Sequence, residues 1–152
     1  MKVAVGGDHA GFTLRQAVIQ IIKDLGHTPV DFGCYSLEET DFPGYAEKAC
    51  QSIINKECER GILVCGSGVG VSIVANKVPG IRASVCHDYY LAHQSVEHDD
   101  VNVMCFGGKV IGEWLAADLV KAFLDAKFSD NKDIRRRVTQ MNDIEAKYSS
   151  KE

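Results

Sequence analysis

The strongest constraint on the fold is the alternation of short apolar runs with amphipathic helical segments. Five runs read as strands, at residues 2–9, 28–33, 61–65, 81–88 and 101–108. Strands that alternate with helices at this spacing predict a parallel sheet covered by helices on both faces. Right-handed crossovers then make the α/β chain a doubly wound, Rossmann-like sheet of about five strands.

The helical segments repeat apolar residues at steps of three and four. The first helix carries Leu14, Ala17, Val18, Ile21, Ile22 and Leu25. Gly26 is a plausible stop for that helix, and Pro43 is a good start for the second. The fifth helix is predicted from Val110, Leu115, Leu119, Ala122 and Phe123.

Length and charge limit the class of protein. The chain has 152 residues, so we expect one domain over residues 1–152. A net charge of −4 argues against a nucleic-acid partner. No apolar run approaches the ~18 residues of a membrane helix, and the N-terminal segment lacks the apolar stretch of a signal peptide. We expect a cytoplasmic protein without a membrane partner.

Six cysteines, at positions 34, 50, 58, 65, 86 and 105, form no CxxC pair. In a cytosolic protein they are expected to be reduced, and each reads by default as a small buried hydrophobe. A metal site can be drawn from His9, Cys65, Cys86 and His87, but no paired spacing supports it. We therefore predict no metal.

The segment Cys65-Gly66-Ser67-Gly68-Val69-Gly70 carries the sharpest chemical signal. It follows the third strand and opens a helix, so its backbone N–H groups are placed to bind an anion. The pattern is not a Walker loop, and it is not on the first strand as a dinucleotide fingerprint would be. A thiol at this position is expected to have a lowered pKa, which suits attack on a carbonyl or proton removal beside one. A buried strand cysteine is the equally weighted alternative.

Other polar residues follow the strands or open the tail. Asp8-His9 comes after the first strand and reads either as acid–base groups or as a capping Asp with a surface His. His98 ends a predicted helix, where interaction with the helix dipole is the plainer interpretation. The basic residues 132 and 135–137 read as a solvated face or as a phosphate grip.

The tail segment, residues 132–148, carries a narrow apolar stripe on a charged helix. Its members are Ile134, Val138, Met141, Ile144 and Tyr148. Because the predicted domain is already complete, we expect this helix to contact a partner subunit. Folding back on its own domain is the alternative.

With these residues assembled, the chain resembles the ribose-5-phosphate isomerase B family, which also contains the galactose-6-phosphate isomerase subunits. The resemblance covers nearly the whole chain. It rests on GGDHAGF (6–12), TDFPGYA (40–46), GILVCGSGVGVSIVANKVPGIRA (61–83), EHDDVNVMCFGGKVIG (97–112) and the basic tail helix.

The resemblance implies an aldose–ketose isomerase of the pentose phosphate pathway that interconverts ribose 5-phosphate and ribulose 5-phosphate through a cis-enediolate. It implies no cofactor and a homodimer with a shared site, a dimer of dimers being a further option. Cys65 would be the base, the loop 66–70 with Ser67 would hold the enediolate, and His98 would help to open the ring. Asp8 and His9 would contact the sugar.

The phosphate contacts implied by the resemblance are Lys109, Lys132, Arg136 and Arg137. Four positions depart from the family pattern: Asp99 stands for Asn, Lys109 for Arg, Phe42 for Tyr, and Val71 for a glutamate base that some members use. Lysine lacks the bidentate fork of arginine. Isomerisation of allose 6-phosphate, galactose 6-phosphate or a tetrulose phosphate stays an alternative, as does a non-catalytic phosphosugar-binding protein.

Overall fold

The computed structural model of the chain describes residues 1–149, so the last three residues of the predicted domain lie outside the described part. Five strands alternate with helices, as the sequence predicts. The strands are β1 (Lys2–Gly7), β2 (Thr28–Asp31), β3 (Arg60–Cys65), β4 (Ala83–Val85) and β5 (Val103–Gly107). The helices are α1 (Phe12–Asp24), α2 (Phe42–Ile54), α3 (Val69–Ala75), α4 (Tyr89–Asp99), α5 (Glu113–Asp125) and α6 (Lys132–Ser149).

All strand pairs are parallel, and the order across the sheet is β2-β1-β3-β5-β4. Parallel strands need crossover connections, and right-handed crossovers send a leftward and a rightward connection to opposite faces. Accordingly, α1 and α4 pack with α5, whereas α2 packs with α3. The predicted doubly wound α/β class is confirmed.

Each face of the sheet has its own apolar core. The core under α1, α4 and α5 includes Val18, Met104 and Phe123, all fully buried. The core under α2 and α3 includes Ala46, Leu63 and Cys105. Because the central strands are covered on both faces, β1, β3 and β5 are almost continuously apolar, as buried parallel strands usually are.

Several predicted strands are two to five residues too long, and two boundaries depart most from the prediction. The fourth strand, predicted over 81–88, spans only Ala83–Val85. The Arg82 N–H donates to the Asn102 side chain, and Asp88 instead caps α4 by accepting from the Leu91 N–H (2.8 Å). Val110 lies in a turn before α5, because its N–H bonds to the Gly107 carbonyl (3.0 Å) and Gly112 takes an extended conformation.

The tail is helical as predicted, from Lys132 to Ser149. Val138 is the one buried residue of this helix. Met141, Ile144 and Tyr148 are 40 to 60% exposed. The helix packs against α4. In residues 1–149, no helix is both long enough and apolar enough to span a bilayer.

Candidate active site

The candidate site lies where the carboxyl ends of β1 and β3 meet. The chain leaves β1 for α1 on one face of the sheet and leaves β3 for α3 on the other. Neighbouring strands whose connections diverge in this way open a crevice at the sheet edge, which is the usual binding position in such folds. The topology therefore brings the first and third strand loops to one cleft.

The cleft is open and has a volume of about 740 Å³. Residues from three strand loops and from α2 and α3 line it: Asp8, His9, Ala10, Phe42, Cys65, Gly66, Ser67, Val69, Gly70, Lys109 and Val110. Eight of the predicted site residues are therefore brought together here. Phe42 and Val110 line the cleft as well, although no binding role was predicted for them.

Cys65 ends β3 at the floor of the cleft and is 5% exposed. Its Sγ atom accepts the Gly68 N–H at 3.1 Å. A hydrogen bond of this kind is stronger to a thiolate than to a thiol. Gly68 has φ +81°, and a Cβ there would lie 2.8 Å from the Phe106 backbone, so only glycine fits.

The loop after Cys65 is held from the neighbouring strand. The N–H groups of Gly108 and Lys109 donate to the carbonyls of Cys65 (2.7 Å) and Gly66 (3.1 Å). Ser67 is exposed, and its Oγ accepts the Val69 N–H at 3.2 Å. The segment 65–67 is thus fixed by backbone bonds, while the Ser67 hydroxyl stands open to a ligand.

Asp8 and His9 are fixed by different contacts. One carboxylate oxygen of Asp8 accepts the N–H groups of Ala10 (3.0 Å) and Gly11 (3.2 Å), which shapes the loop after β1. The Nδ1 atom of His9 accepts the Thr40 N–H at 3.1 Å, so a neutral His9 carries its proton on Nε2. His9 therefore offers a donor to the cleft.

The predicted residues His98 and Asp99 are not in this cleft. Strand β5 begins at Val103, beside Gly61, and ends at Gly107, beside Cys65. Four residue steps of about 3.3 Å place the two edges of the sheet roughly 13 Å apart. Since α4 ends at Asp99 and leads into the start of β5, both residues lie at the edge opposite Cys65.

The predicted phosphate contacts of the tail lie at that same edge. The Ser129 N–H, just before α6, donates to the Glu97 carbonyl at 3.0 Å. We call residues 98–99 and 132–137 the amino corner. Arg136 pairs with Asp133 and Arg135 pairs with Asp130, whereas Lys132 and Arg137 are exposed and make no ion pair within residues 1–149.

The turn that follows Asp99 is tightly tied. Asp100 has φ 50°, in the left-handed region. Arg82 donates to its carbonyl through Nε and to its carboxylate through Nη2, both at 2.7 Å. The Nδ1 atom of His98 lies 3.0 Å from the Gln94 amide. His98 and Asp99 thus lie at the end of α4, just before a turn that is fixed by Arg82.

The cysteines divide by environment. Burial raises the pKa of Cys50 to about 12 and the pKa of Cys105 well above the ordinary value. Burial also raises the pKa of Cys86. These thiols stay protonated at neutral pH. Cys65 is the cysteine that lines the cleft.

Metal ligands do not assemble. In the part of the chain that the structure describes, no three His, Cys, Asp or Glu residues are placed to hold a metal ion. His87, which was considered as a ligand, accepts the Gly107 N–H through Nε2 at 2.9 Å instead.

Sequence reasoning missed a buried cation. Arg15 on α1 is fully buried and donates to Asp31 and to the Cys34 carbonyl. It supports the loop that leads to Thr40, the partner of His9. The signal was present, because Arg15 stands three residues before Val18 on the apolar face of α1.

The chain is an α/β protein with a doubly wound sheet and an open cleft. The cleft lies between two strands whose connections diverge, and it contains a cysteine beside a glycine loop. Residues 3–141 match the family described as Ribose/Galactose Isomerase. The chain belongs to this isomerase family, and the resemblance inferred from its motifs is confirmed.

Three comparisons illustrate the relationship. Ribose-5-phosphate isomerase B of Escherichia coli (strain K12) is 41% identical over 95% of this chain and 96% of that protein. The galactose-6-phosphate isomerase subunit LacB of Clostridium acetobutylicum is 31% identical over 95% of this chain and 83% of that protein. The structure of Clostridium thermocellum ribose-5-phosphate isomerase B superposes with a TM-score of 0.94 at 41% identity, covering 97% of this chain and 99% of the other.

Proposed function

We propose that the protein interconverts ribose 5-phosphate and ribulose 5-phosphate, with Cys65 as the base. The observation that carries the proposal is the Cys65 thiol at the floor of an open cleft, with the Gly68 N–H donating to its sulfur at 3.1 Å. The relatives named ribose-5-phosphate isomerase B support the substrate.

In the proposed mechanism, the Cys65 thiolate removes the proton from C2 of the open-chain aldose. The carbonyl oxygen gains the negative charge of a cis-enediolate, and N–H groups of the loop 66–70 with the Ser67 hydroxyl bind it. A proton moves from the C2 hydroxyl to the C1 oxygen of the enediolate, and the proton held by Cys65 then returns at C1 to give the ketose. Preorganised donors of this kind contribute about 3 kcal/mol each to the transition state.

Ring opening requires proton transfer at the anomeric centre before isomerisation. We assign it to His98, assisted by Asp8 at the cleft. Since His98 lies at the edge opposite Cys65 in one chain, it would act at the cleft of a second copy. His9, with its proton on Nε2, would donate to a sugar oxygen.

A homodimer with shared sites follows as part of the proposal. Residues 1–152 would act as one isomerase domain, whose tail helix, residues 132–148, contacts the partner subunit. Val69 and Ile73 beside the cleft are 51% and 54% exposed, which is apolar surface suited to a partner. Lys109 from the same chain, with Lys132, Arg136 and Arg137 from the partner, would bind the phosphate, and Asp99 would face the sugar.

The test is proton NMR of ribose 5-phosphate with purified protein in D2O and a chelator. We expect conversion to ribulose 5-phosphate with deuterium at the transferred position, since a thiol exchanges its proton with solvent. Conversion without deuterium would argue against a solvent-exchanging base. No conversion by folded protein would contradict the proposed substrate.

Ring opening is tested with His98→Asn. We expect this variant to lose more activity on the cyclic sugar phosphate than on a substrate that is already open-chain. Equal losses on both substrates would contradict the assignment of His98.

A different sugar phosphate is the second candidate, favoured by the 31% identity to a galactose-6-phosphate isomerase subunit. Substrate length would be set by the distance from Cys65 to the phosphate-binding cations. Galactose 6-phosphate, allose 6-phosphate and a tetrulose phosphate are therefore assayed in the same way. Failure with all of them would favour a phosphosugar-binding protein.

A further inference from the structure

His87 is a half-buried histidine that the proposed mechanism does not use. It lies between the end of β4 and the start of α4, and it is anchored on both sides. The Cys86 N–H bonds to the Cys105 carbonyl (3.0 Å), and the Asp88 carboxylate caps α4. The backbone that carries the imidazole is therefore fixed on both sides of His87.

Within residues 1–149, the hydrogen bond of the imidazole is with the last residue of β5. The Gly107 N–H donates to His87 Nε2 at 2.9 Å. Since a backbone N–H only donates, Nε2 must be unprotonated, and His87 is the neutral tautomer with its proton on Nδ1. Gly107 is buried, so without His87 its N–H would lose its acceptor away from water.

Gly107 packs directly on the loop that follows Cys65. A Cβ at Gly107 would lie 2.7 Å from the Gly66 carbonyl oxygen and 2.8 Å from the Ser67 carbonyl carbon. The next two N–H groups, of Gly108 and Lys109, donate to the carbonyls of Cys65 and Gly66. Residues 107–109 thus form a splint along residues 65–67.

The splint sets the direction of two peptide planes. In a planar trans peptide the C=O and N–H groups point in opposite directions. Because the carbonyls of Cys65 and Gly66 point at the splint, the N–H groups of Gly66 and Ser67 point away from it. A shift of Gly107 would therefore tilt these donors and move Lys109, which lines the cleft.

We propose that His87 is a positioning residue that fixes Gly107 and, through the splint, orients the Cys65–Ser67 segment. The predicted effect of His87 on turnover rests on the proposed function. Its effect on the splint is independent of any substrate. A misplacement of about 1 Å in such a segment is enough to lower turnover by about 10²-fold.

The experiment compares three substitutions of His87. Gln carries an amide oxygen at about the distance of Nε2, Asn carries one too close to the backbone, and Ala carries none. We expect His87→Ala and His87→Asn to lower kcat by roughly tenfold or more, with KM within about threefold. His87→Gln should stay within about threefold of the wild type, since its acceptor replaces the imidazole.

The control is His93→Ala, which removes an exposed histidine of α4 whose ion pair within residues 1–149 is with Glu97. We expect it to leave kcat unchanged. Circular dichroism and thermal unfolding establish that each variant is folded. His87→Asn keeps a polar side chain in place, so it answers the question even where His87→Ala does not fold.

Amide hydrogen exchange at Gly108 and Lys109 separates this inference from the proposed function. Neither amide bonds to His87, so faster exchange in His87→Asn, and not in His87→Gln, would report a loosened splint. Unchanged exchange, unchanged kcat in folded His87→Asn, or a loss in His87→Gln equal to that in His87→Ala would each overturn the inference. If the wild type fails to isomerise any sugar phosphate, the proposed function falls and the exchange data alone decide the role of His87.

Discussion

The cleft and the amino corner hold their polar groups in opposite ways. In the cleft, Cys65 and Asp8 are buried and are bonded by backbone N–H groups. At the amino corner, Asp99, Lys132 and Arg137 are exposed on helix ends. A preorganised set suits proton transfer, because its geometry is fixed before substrate binds. An exposed set suits recognition of a charge presented by a second copy.

The difference assigns two tasks to two regions of one chain. The cleft holds the groups that would bind the sugar carbons, together with Lys109 for the phosphate, and the amino corner carries the other proposed phosphate-binding cations. Neither region alone would form the complete proposed site within one chain, because the two regions are separated by the full length of β5. The predictions below test this division.

The largest effect is expected in the cleft. Cys65→Ala removes the proposed base, and removal of a positioned general base lowers kcat by about 10²–10⁴-fold. The side chain loses one sulfur at the floor of an open cleft, so the protein should stay folded. The measurement is the NMR conversion assay, with thermal unfolding as the check on folding.

The matched control is Cys58→Ala, at a buried cysteine that lies before β3 and outside the cleft. It should cost some stability and leave kcat near the wild-type value. Near-normal turnover in Cys65→Ala would remove the cleft from the mechanism.

The second prediction joins the two regions. Cys65→Ala and His98→Asn chains are each impaired, but a mixed dimer has one site with both native residues and one with neither. Random mixing gives half mixed dimers, so we expect recovery to about a quarter of wild-type activity. The measurement is turnover after co-refolding equal amounts of the two chains.

Activity of the mixture that merely averages the two parents would contradict a shared site. Mixing Cys65→Ala with Cys65→Ala serves as the control, because no arrangement of those chains restores a thiol. This experiment tests directly whether the cleft of one chain and the amino corner of another form one site, since a complete site within one chain would gain nothing from mixing.

The sequence predicted the cleft far better than the corner. Buried strands and helical periodicity specify the sheet, and every strand loop of a parallel sheet must reach the same edge, so Asp8 and Cys65 could be placed together. The same logic puts the end of α4 at the other edge. The contacts of His87 with Gly107 and of Arg82 with Asp100 depend on tertiary packing, which no local pattern encodes.

The third prediction distinguishes two arginines of the amino corner. Arg137 makes no ion pair in the described residues, whereas Arg136 pairs with Asp133 one turn away. A free guanidinium binds phosphate without first breaking a bond. We expect Arg137→Ala to raise KM by about tenfold or more, with a smaller rise in Arg136→Ala.

The measurement is steady-state kinetics at two salt concentrations, because exposed charges are screened by salt. A larger KM effect in Arg136→Ala would show that the Asp133 pair opens in the assembled enzyme. Lys121→Ala is the control, since Lys121 is an exposed cation of α5 that pairs with Asp125 and has no proposed contact with the phosphate.

The smallest effect is expected in the apolar interior. Unlike the amino corner, which carries exposed charges, the interior holds neutral buried thiols. Burial raises the pKa of Cys50 to about 12, while an unfolded cysteine keeps its ordinary value of 9.0. The folded state then holds a proton that the unfolded state loses. The stability from this thiol is fully present below about pH 9 and is lost as the pH rises towards 12.

One thiol accounts for a slope of at most about 1.4 kcal/mol per pH unit. We expect urea unfolding from pH 8 to 11 to show a shallower loss of stability in Cys50→Ala than in the wild type, and equal slopes would contradict a protonated thiol in the core.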